Sequence, residues 1–124
     1  MNSVVVKSVD EALIRRCMDE YASRLFSAHA GVEEVIVFGS FAEGCYGPGS
    51  DLDVFIVLST SDKPLHDRIP ELLPNGFPVP LDLFPFTREE IAARRPSALL
   101  DAVGSSMWRY KRHLEPKAGG GGKR

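Results

Sequence analysis

Cysteine is scarce in this sequence, which has only Cys17 and Cys45 among its 124 residues. The two are far apart, lack the spacing of a metal site, and are too few for the disulfide framework of a small secreted protein. Long hydrophobic runs are also missing: Met1 to Lys7 holds only a short apolar stretch, and no segment approaches the length that spans a bilayer. We therefore expect a cytoplasmic protein that is neither exported nor inserted into a membrane.

A surplus of charge of either sign is absent as well. The sequence has 15 Lys and Arg residues against 17 Asp and Glu residues, for a net charge of -2. Without a positive surplus, nonspecific nucleic-acid binding is not expected. The composition, 44% hydrophobic and 26% charged, is typical of a globular protein rather than a disordered or membrane one.

The length indicates one domain, expected to span residues 1–118. A chain of 124 residues can bury a core but leaves no room for separate catalytic and acceptor-binding domains. The glycine-rich segment 119–124 is predicted to be a flexible tail, and we assign it no function.

Capping residues and the helical spacing of apolar side chains predict four helices. They run from about Val9 to His29, from about Pro64 to Leu73, from Thr87 to about Arg94, and from Pro96 to about Val103. Ser8 with Glu11 resembles a capping box at the start of the first helix, and Thr87 with Glu90 repeats the pattern at the third. Gly104 is expected to end the fourth helix.

Short apolar runs that are rich in β-branched and aromatic residues predict four strands. They are Glu33 to Phe38, Asp51 to Leu58, Val79 to Phe84 and Ser105 to Arg112. Pro80 places the third strand at a sheet edge or makes it a strand start, and a glycine-rich loop from Gly39 to Gly49 joins the first two. This order of elements predicts an α/β or α+β fold with a small mixed sheet flanked by helices.

Two carboxylates at the entry of the second strand carry the first functional signal. Side chains two apart on a strand point to the same face, so Asp51 and Asp53 project together with Cα atoms roughly 6–7 Å apart. Neighbouring carboxylates repel one another unless a cation lies between them, and Mg²⁺ prefers oxygen ligands. The pair therefore predicts a metal site.

Asp82 is the candidate third ligand, because a site for two metal ions needs a further carboxylate from a neighbouring strand. It is the only acidic residue in the third predicted strand and lies between Leu81 and Leu83. It would be costly to bury without a cation or hydrogen-bond partners, so function explains it better than packing does. Asp62 and Asp67 compete for this role, but both lie in a predicted loop or helix.

The segment Phe38-Gly-Ser-Phe-Ala-Glu-Gly44 forms the other half of the predicted site. A glycine ends the first strand, a serine follows, and a second glycine closes a short turn that exposes backbone N–H groups. These donors and the Ser40 hydroxyl can hold a polyphosphate, while Gly39 lets the backbone approach it closely. The metal site and the phosphate turn would be neighbours.

Gly39-Ser40, ten intervening residues and Asp51-Leu-Asp53 together resemble the signature of the DNA polymerase β nucleotidyltransferase superfamily. The short chain is similar to the minimal nucleotidyltransferases, many of which are encoded beside a helical HEPN-domain protein and act as the antitoxin of that pair. The resemblance covers Val35 to Leu58 tightly and reaches Asp82 loosely. It implies a nucleotidyltransferase fold.

The resemblance also implies a reaction: in-line attack by a hydroxyl on the α-phosphate of a nucleoside triphosphate, usually ATP, with pyrophosphate leaving. Asp51 and Asp53 would hold two Mg²⁺ ions, and Asp82 would ligate the catalytic ion and help to deprotonate the hydroxyl. Gly39 and Ser40 would position the β- and γ-phosphates. The implied acceptor is a partner protein, with a tyrosine of a HEPN toxin favoured.

One departure from the family keeps other functions open. Many members carry an arginine or lysine in the turn, where this chain has Phe41, Ala42 and Glu43, and an inward-facing Glu43 would weaken triphosphate binding. The alternatives are an antitoxin that neutralises its partner by complex formation alone, and transfer to a small molecule such as an aminoglycoside. Phe84, Phe86 and Trp108 are expected in the core or at an interface, and the Trp108-Tyr110 edge leaves a homo-oligomer open.

Overall fold

The fold combines five helices with four strands in the part of the chain that is described. The computed structural model describes residues 10–44, 46–47, 49–94 and 97–112, so Cys45 and the 119–124 tail lie outside the described residues. The helices are α1 (Glu11–Ala28), α2 (Ser40–Glu43), α3 (Leu65–Leu72), α4 (Arg88–Ala93) and α5 (Ala98–Ser105). The strands are β1 (Val32–Phe38), β2 (Leu52–Leu58), β3 (Leu81–Thr87) and β4 (Trp108–Lys111).

The four strands form one mixed sheet in the order β3-β2-β1-β4. Strand β1 is antiparallel to both of its neighbours, β2 and β4. Strands β2 and β3 run parallel, with α3 between them in the chain, as a parallel pair requires a crossover connection. The predicted mixed sheet flanked by helices is confirmed.

Helix α1 begins two residues later than its sequence suggested. Asp10 is its N-cap, and its side chain accepts a hydrogen bond of 3.1 Å from the backbone N–H of Leu13. The predicted capping box of Ser8 and Glu11 is therefore not the start of the helix, and Ser8 lies outside the described residues. A carboxylate at this position satisfies an otherwise unpaired N–H group.

The core consists of two apolar layers, because alternate residues of each strand face opposite sides of the sheet. Val35 and Val37 of β1 face α1, which buries an apolar stripe against the sheet. Ile36 and Phe38 face the other side, which α4 and α5 cover. The α1 stripe comprises Ile14, Met18, Tyr21, Ala22 and Leu25.

Strand β3 is an edge strand, as Pro80 predicted, but its bounds differ from the prediction. It begins after Pro80 and continues through Pro85 to Thr87. An edge strand accommodates Pro85 because one side of the strand needs no N–H donor. The capping box of Thr87 and Glu90 is confirmed at the start of α4.

The prediction that Gly104 ends the last helix is wrong, since α5 continues through Gly104 to Ser105. Ser97 caps its start by accepting a hydrogen bond from Leu100. At its end, the guanidinium of Arg109 donates to the carbonyl oxygen of Val103 at 2.6 Å. This bond from β4 stabilises the last turn despite the glycine.

The rings of Trp108 and Tyr110 are engaged within the chain. Trp108 is 8% exposed and lies in the core under α1. Its indole N–H donates to the Tyr110 hydroxyl at 2.9 Å, and that hydroxyl donates to Asp19 of α1. The expectation of core packing is confirmed for Trp108.

In the described segments, no helix has both the length and the apolar character required to cross a membrane.

Candidate active site

The predicted site residues meet at one end of the sheet. Phe38, the last residue of β1, pairs with Asp53 near the start of β2. Asp53 in turn pairs with Asp82 on the parallel strand β3. On the other side of β1, Val37 pairs with Trp108 at the start of β4. The end of β1 and the beginnings of β2, β3 and β4 therefore form a single rim.

The three aspartates occupy adjacent positions on this rim. Asp53 shares a sheet face with Phe55, and Asp82 shares it with Phe84, so both point to the side that α4 and α5 cover. Asp51 directly precedes β2. Asp53 is half-buried, whereas Asp51 and Asp82 are exposed. The parallel register of β2 and β3 places the exposed Asp82 beside Asp53.

The surroundings of Asp53 raise the pKa of its carboxyl. Burial raises the pKa of the Asp53 carboxyl above its usual value, and the negative charges of Asp82 and Asp51 raise it further. Like charges at close range disfavour the ionised form unless a cation compensates them. Asp53 is thus the carboxyl that experiences the negative charges of the other two.

Gly39 occupies the position where the turn meets these carboxylates. Its backbone has φ 79° and ψ −151°, a combination that L-residues with a side chain rarely adopt. A Cβ atom at this position would overlap the Asp53 carboxylate. Glycine is therefore required twice, once by the backbone conformation and once by the closeness of Asp53.

The turn after Gly39 is a short helix, not the open loop that the sequence predicted. Helix α2 begins at Ser40, is closed by a 3.0 Å bond from Glu43 N–H to the Gly39 carbonyl, and ends at Gly44 in the left-handed conformation. The first N–H groups of any helix have no partner within it, and no side-chain cap is found here among the described residues. Backbone donors therefore remain at Ser40, and Glu43 is exposed at the far end.

Aromatic stacking holds this turn in place, and the sequence did not reveal it. Phe41 is buried, and its ring stacks on Tyr46 with centroids 4.5 Å apart and planes 7° from parallel. The Tyr46 hydroxyl donates to Glu11 of α1 at 2.9 Å. No local pattern links Tyr46 to Glu11, since the contact depends on how α1 packs beside the turn.

Asp62 and Asp67, the two competitors for the role of Asp82, do not reach this rim. Both follow the C-terminal end of β2, Asp62 in the connection to α3 and Asp67 in its first turn. Asp67 faces His66 at 3.2 Å. The structure separates these two acids from Asp51, Asp53 and Asp82.

The donor set at the rim fits a hard divalent cation in its chemistry. All three candidate ligands are carboxylates, which offer oxygen atoms of the kind that Mg²⁺ prefers. Across residues 10–44, 46–47, 49–94 and 97–112, no three such side chains converge closely enough to enclose an ion as they stand. The side chains of Asp51 and Asp82 are exposed, which leaves them room to rotate.

Similarity to known proteins agrees with this geometry. The model of the nucleotidyltransferase domain family matches residues 18–104, a stretch that contains the Gly39-Ser40 turn and all three aspartates. The chain belongs to the nucleotidyltransferase domain family. No curated protein matches it. This nucleotidyltransferase domain is accordingly a transferase of the nucleotidyl class with a nucleotide as substrate.

A solved structure shares the fold. It is a presumed nucleotidyltransferase from Sulfolobus solfataricus, which is 23% identical to this chain with a TM-score of 0.51. The similarity covers 71% of this chain and 84% of that one. The nucleotidyltransferase fold that Gly39-Ser40 and Asp51-Leu-Asp53 indicated is thereby confirmed.

Proposed function

We propose that this nucleotidyltransferase domain transfers AMP from ATP to a hydroxyl group of a partner protein, with Mg²⁺ as cofactor. The observation that supports nucleotidyl transfer is the direct pairing of Asp53 with Asp82. Gly39 lies beside this pair, so close to the Asp53 carboxylate that a side chain would not fit there. The protein acceptor follows from the resemblance to minimal nucleotidyltransferases. In that role the partner is a HEPN-domain toxin, and this chain is its antitoxin.

Asp51, Asp53 and Asp82 would hold the metal, with two ions as the expected number. Bound Mg²⁺ supplies positive charge that stabilises the attacking and leaving oxygens of an in-line displacement. The chain itself supplies the carboxylates, and a bound cation would offset the repulsion of Asp53 by Asp82 and Asp51.

The α2 turn would position ATP, the nucleotide donor. Free N–H groups at Ser40 and its hydroxyl donate to oxygens of the β- and γ-phosphates, while Gly39 leaves space for the polyphosphate beside Asp53. Such positioning matters because phosphoryl chemistry depends mainly on alignment and charge stabilisation.

Asp82 would act on the acceptor. Its exposed carboxylate accepts the proton of the acceptor hydroxyl as the oxygen attacks the α-phosphorus. A bond forms between that oxygen and phosphorus, the bond from the α-phosphorus to the bridging oxygen breaks, and the pair of electrons leaves with pyrophosphate. The product is an AMP diester on the acceptor.

The decisive experiment combines the purified chain, Mg²⁺, the partner protein and ATP that is labelled at either the α- or the γ-phosphate. We expect label on the partner from α-labelled ATP only, since phosphate transfer would give the opposite result. Asp53→Asn and Asp82→Asn should each lower the transfer rate by about 100-fold or more. Loss of a residue that only hydrogen-bonds to a metal ligand already lowers activity about 10- to 100-fold, and these aspartates are the proposed ligands themselves.

Asp62→Asn is the matched control, since Asp62 lies beyond the opposite end of β2. It should transfer label at the wild-type rate. Absence of transfer by the wild-type chain, or equal transfer by Asp53→Asn, would contradict the proposal. If Asp53→Asn also protected cells from the partner as well as the wild type does, neutralisation by binding alone would replace transfer as the function.

A further inference from the structure

A cavity of about 290 Å³ lies at the same end of the sheet, on the α1 side. Arg15 of α1, Ala42 of α2 and Trp108 of β4 line it. Met107 also lines the cavity and is 94% exposed. Gly39, at the start of the α2 turn, touches Asp53, and Ala42, further along the same turn, faces this cavity. The turn therefore lies between the carboxylates and the cavity.

Arg15 is the notable group in this cavity. Its guanidinium lies over the Trp108 ring, 4.0 Å from the ring centroid. Stacking uses the flat face of a guanidinium and leaves the N–H groups along its edges free to bind a phosphate. The contact of Arg15 with Glu11 is long, 3.9 Å, and its side chain is 53% exposed.

The second arginine of the cavity is already engaged. Arg109 donates to Glu34 at 2.7 Å and to the carbonyl oxygens of Val103 and Ser106 at 2.6 and 3.1 Å. These bonds engage all three nitrogens of its guanidinium, and Glu34 offsets its charge. Of the two arginines that line the cavity among the described residues, Arg15 is the one with donors to spare.

The α2 turn offers no positive side chain of its own to a polyphosphate, since its residues after Ser40 are Phe41, Ala42 and Glu43. We propose that Arg15 binds the polyphosphate of the nucleotide substrate and so supplies, from α1, the positive charge that the turn lacks. This inference rests on the proposed function, because it takes a nucleoside triphosphate as the substrate.

The dimensions of the rim are compatible with this assignment. Val37 pairs with Trp108 and the adjacent Phe38 pairs with Asp53, so β4 and β2 flank the same end of β1. Neighbouring strands are about 4.8 Å apart, which places the two partner strands about 10 Å from each other. The Asp53 carboxylate points to the α4 and α5 side and the cavity lies on the α1 side, so a polyphosphate that contacts both would pass over the α2 turn at this end of the sheet.

Two acids face Arg15. Glu11, its neighbour on α1, also accepts the Tyr46 hydroxyl, and Asp19 accepts the Tyr110 hydroxyl. Asp19 lines the cavity and would oppose an incoming polyanion. Asp19→Asn should therefore raise the affinity for the triphosphate, in the direction opposite to loss of Arg15.

The test is the affinity of Arg15→Gln for Mg-ATP and for AMP, measured by calorimetry, with unchanged thermal unfolding as evidence of folding. Loss of a charge-assisted bond to phosphate should weaken Mg-ATP binding about tenfold or more and AMP binding about twofold or less. Arg15→Lys should recover part of the Mg-ATP affinity, and Arg16→Gln, one position along the same exposed helix surface, should bind as the wild type does.

Trp108, the only tryptophan of the chain, provides a second readout. Mg-ATP should change its emission in the wild type, because a phosphate bound to the stacked guanidinium changes the charge beside the ring, and the change should be absent in Arg15→Gln. Equal losses for ATP and AMP, or no loss for either, would overturn the inference. If Asp53→Asn abolished transfer while Arg15→Gln kept the wild-type KM for ATP, the proposed function would stand and this inference alone would fail.

Discussion

Asp53 and Asp82 lie directly opposite each other on the parallel strands β2 and β3. The negative charge of Asp82 is one of the causes that raise the pKa of the Asp53 carboxyl, after burial. The folded protein thus holds two carboxylates close together although their negative charges repel each other. Such strain is common where a ligand compensates it.

Removal of the Asp53 charge should stabilise the metal-free protein. The pKa of Asp53 is raised in the folded state. At pH values above this raised pKa, the ionised carboxylate therefore destabilises the fold. The penalty disappears as the pH falls below the ordinary aspartate pKa of about 4. We expect Asp53→Asn to have a higher Tm than the wild type near neutral pH in the presence of a chelator. The difference should vanish at about pH 3.

Thermal unfolding at both pH values measures this, with Asp62→Asn as the control whose Tm should follow the wild type. A lower Tm for Asp53→Asn near neutral pH would show that the carboxylate is stabilising and that the assigned repulsion is wrong.

Mg²⁺ should stabilise the wild type but not Asp53→Asn. A ligand that binds only the folded state at 100 times its Kd adds about 2.7 kcal/mol of stability, and each lost carboxylate weakens the site. We expect the Tm of the wild type to rise with Mg²⁺ concentration and that of Asp53→Asn to stay nearly constant. An equal rise in both proteins would place the ion elsewhere.

Gly39→Ala should impair both stability and transfer. The Gly39 backbone conformation costs a residue with a side chain roughly 1–3 kcal/mol, and the new Cβ would displace the Asp53 carboxylate. Chemical denaturation and the transfer assay measure the two effects.

Gly44→Ala is the matched control for this substitution. Gly44 also has a positive φ, 78°, but a Cβ there would meet nothing within 4 Å. It should lose about 1–2 kcal/mol of stability and retain transfer. Equal transfer by the two folded variants would show that the approach of Gly39 to Asp53 is irrelevant to the reaction.

Glu90→Gln should destabilise the fold without a direct effect on the rim. Glu90 forms a two-bond ion pair with the buried Arg68, with both distances 2.7 Å, and this pair holds the pKa of Glu90 at about 2. Because Glu90 is 41% exposed, solvent screens the pair, and we expect a loss of roughly 2 kcal/mol near neutral pH.

The pH dependence of this effect has a definite sign. The lowered pKa of Glu90 stabilises the fold above the ordinary glutamate value, and this contribution is lost as the pH falls toward about 2. Urea unfolding of the wild type and Glu90→Gln should therefore give free energies that converge across this acidic window. A constant difference down to about pH 2 would assign the effect to packing instead.

Local signals explain what could be predicted. The capping box of Thr87 with Glu90 and the β-branched runs of β1 and β2 each depend on a few consecutive residues, and the structure confirms them. Gly104 misled because a guanidinium from another strand, that of Arg109, supports the helix beyond it. A prediction from neighbours in sequence cannot include such a bond.

By itself, the sequence determined the four strands and four of the five described helices, because strand alternation, helix capping and helical spacing are local properties, whereas the short helix α2 was predicted as an open loop. It also placed Asp51 and Asp53 at the entry of β2. Only the tertiary structure decided that Asp82 meets Asp53, since a parallel register depends on how the crossover through α3 closes. It likewise decided that Gly39 abuts a carboxylate and that Arg15 of α1 stacks at the far side of the same turn. Those relationships join segments distant in the chain, and only packing of the whole domain brings them together.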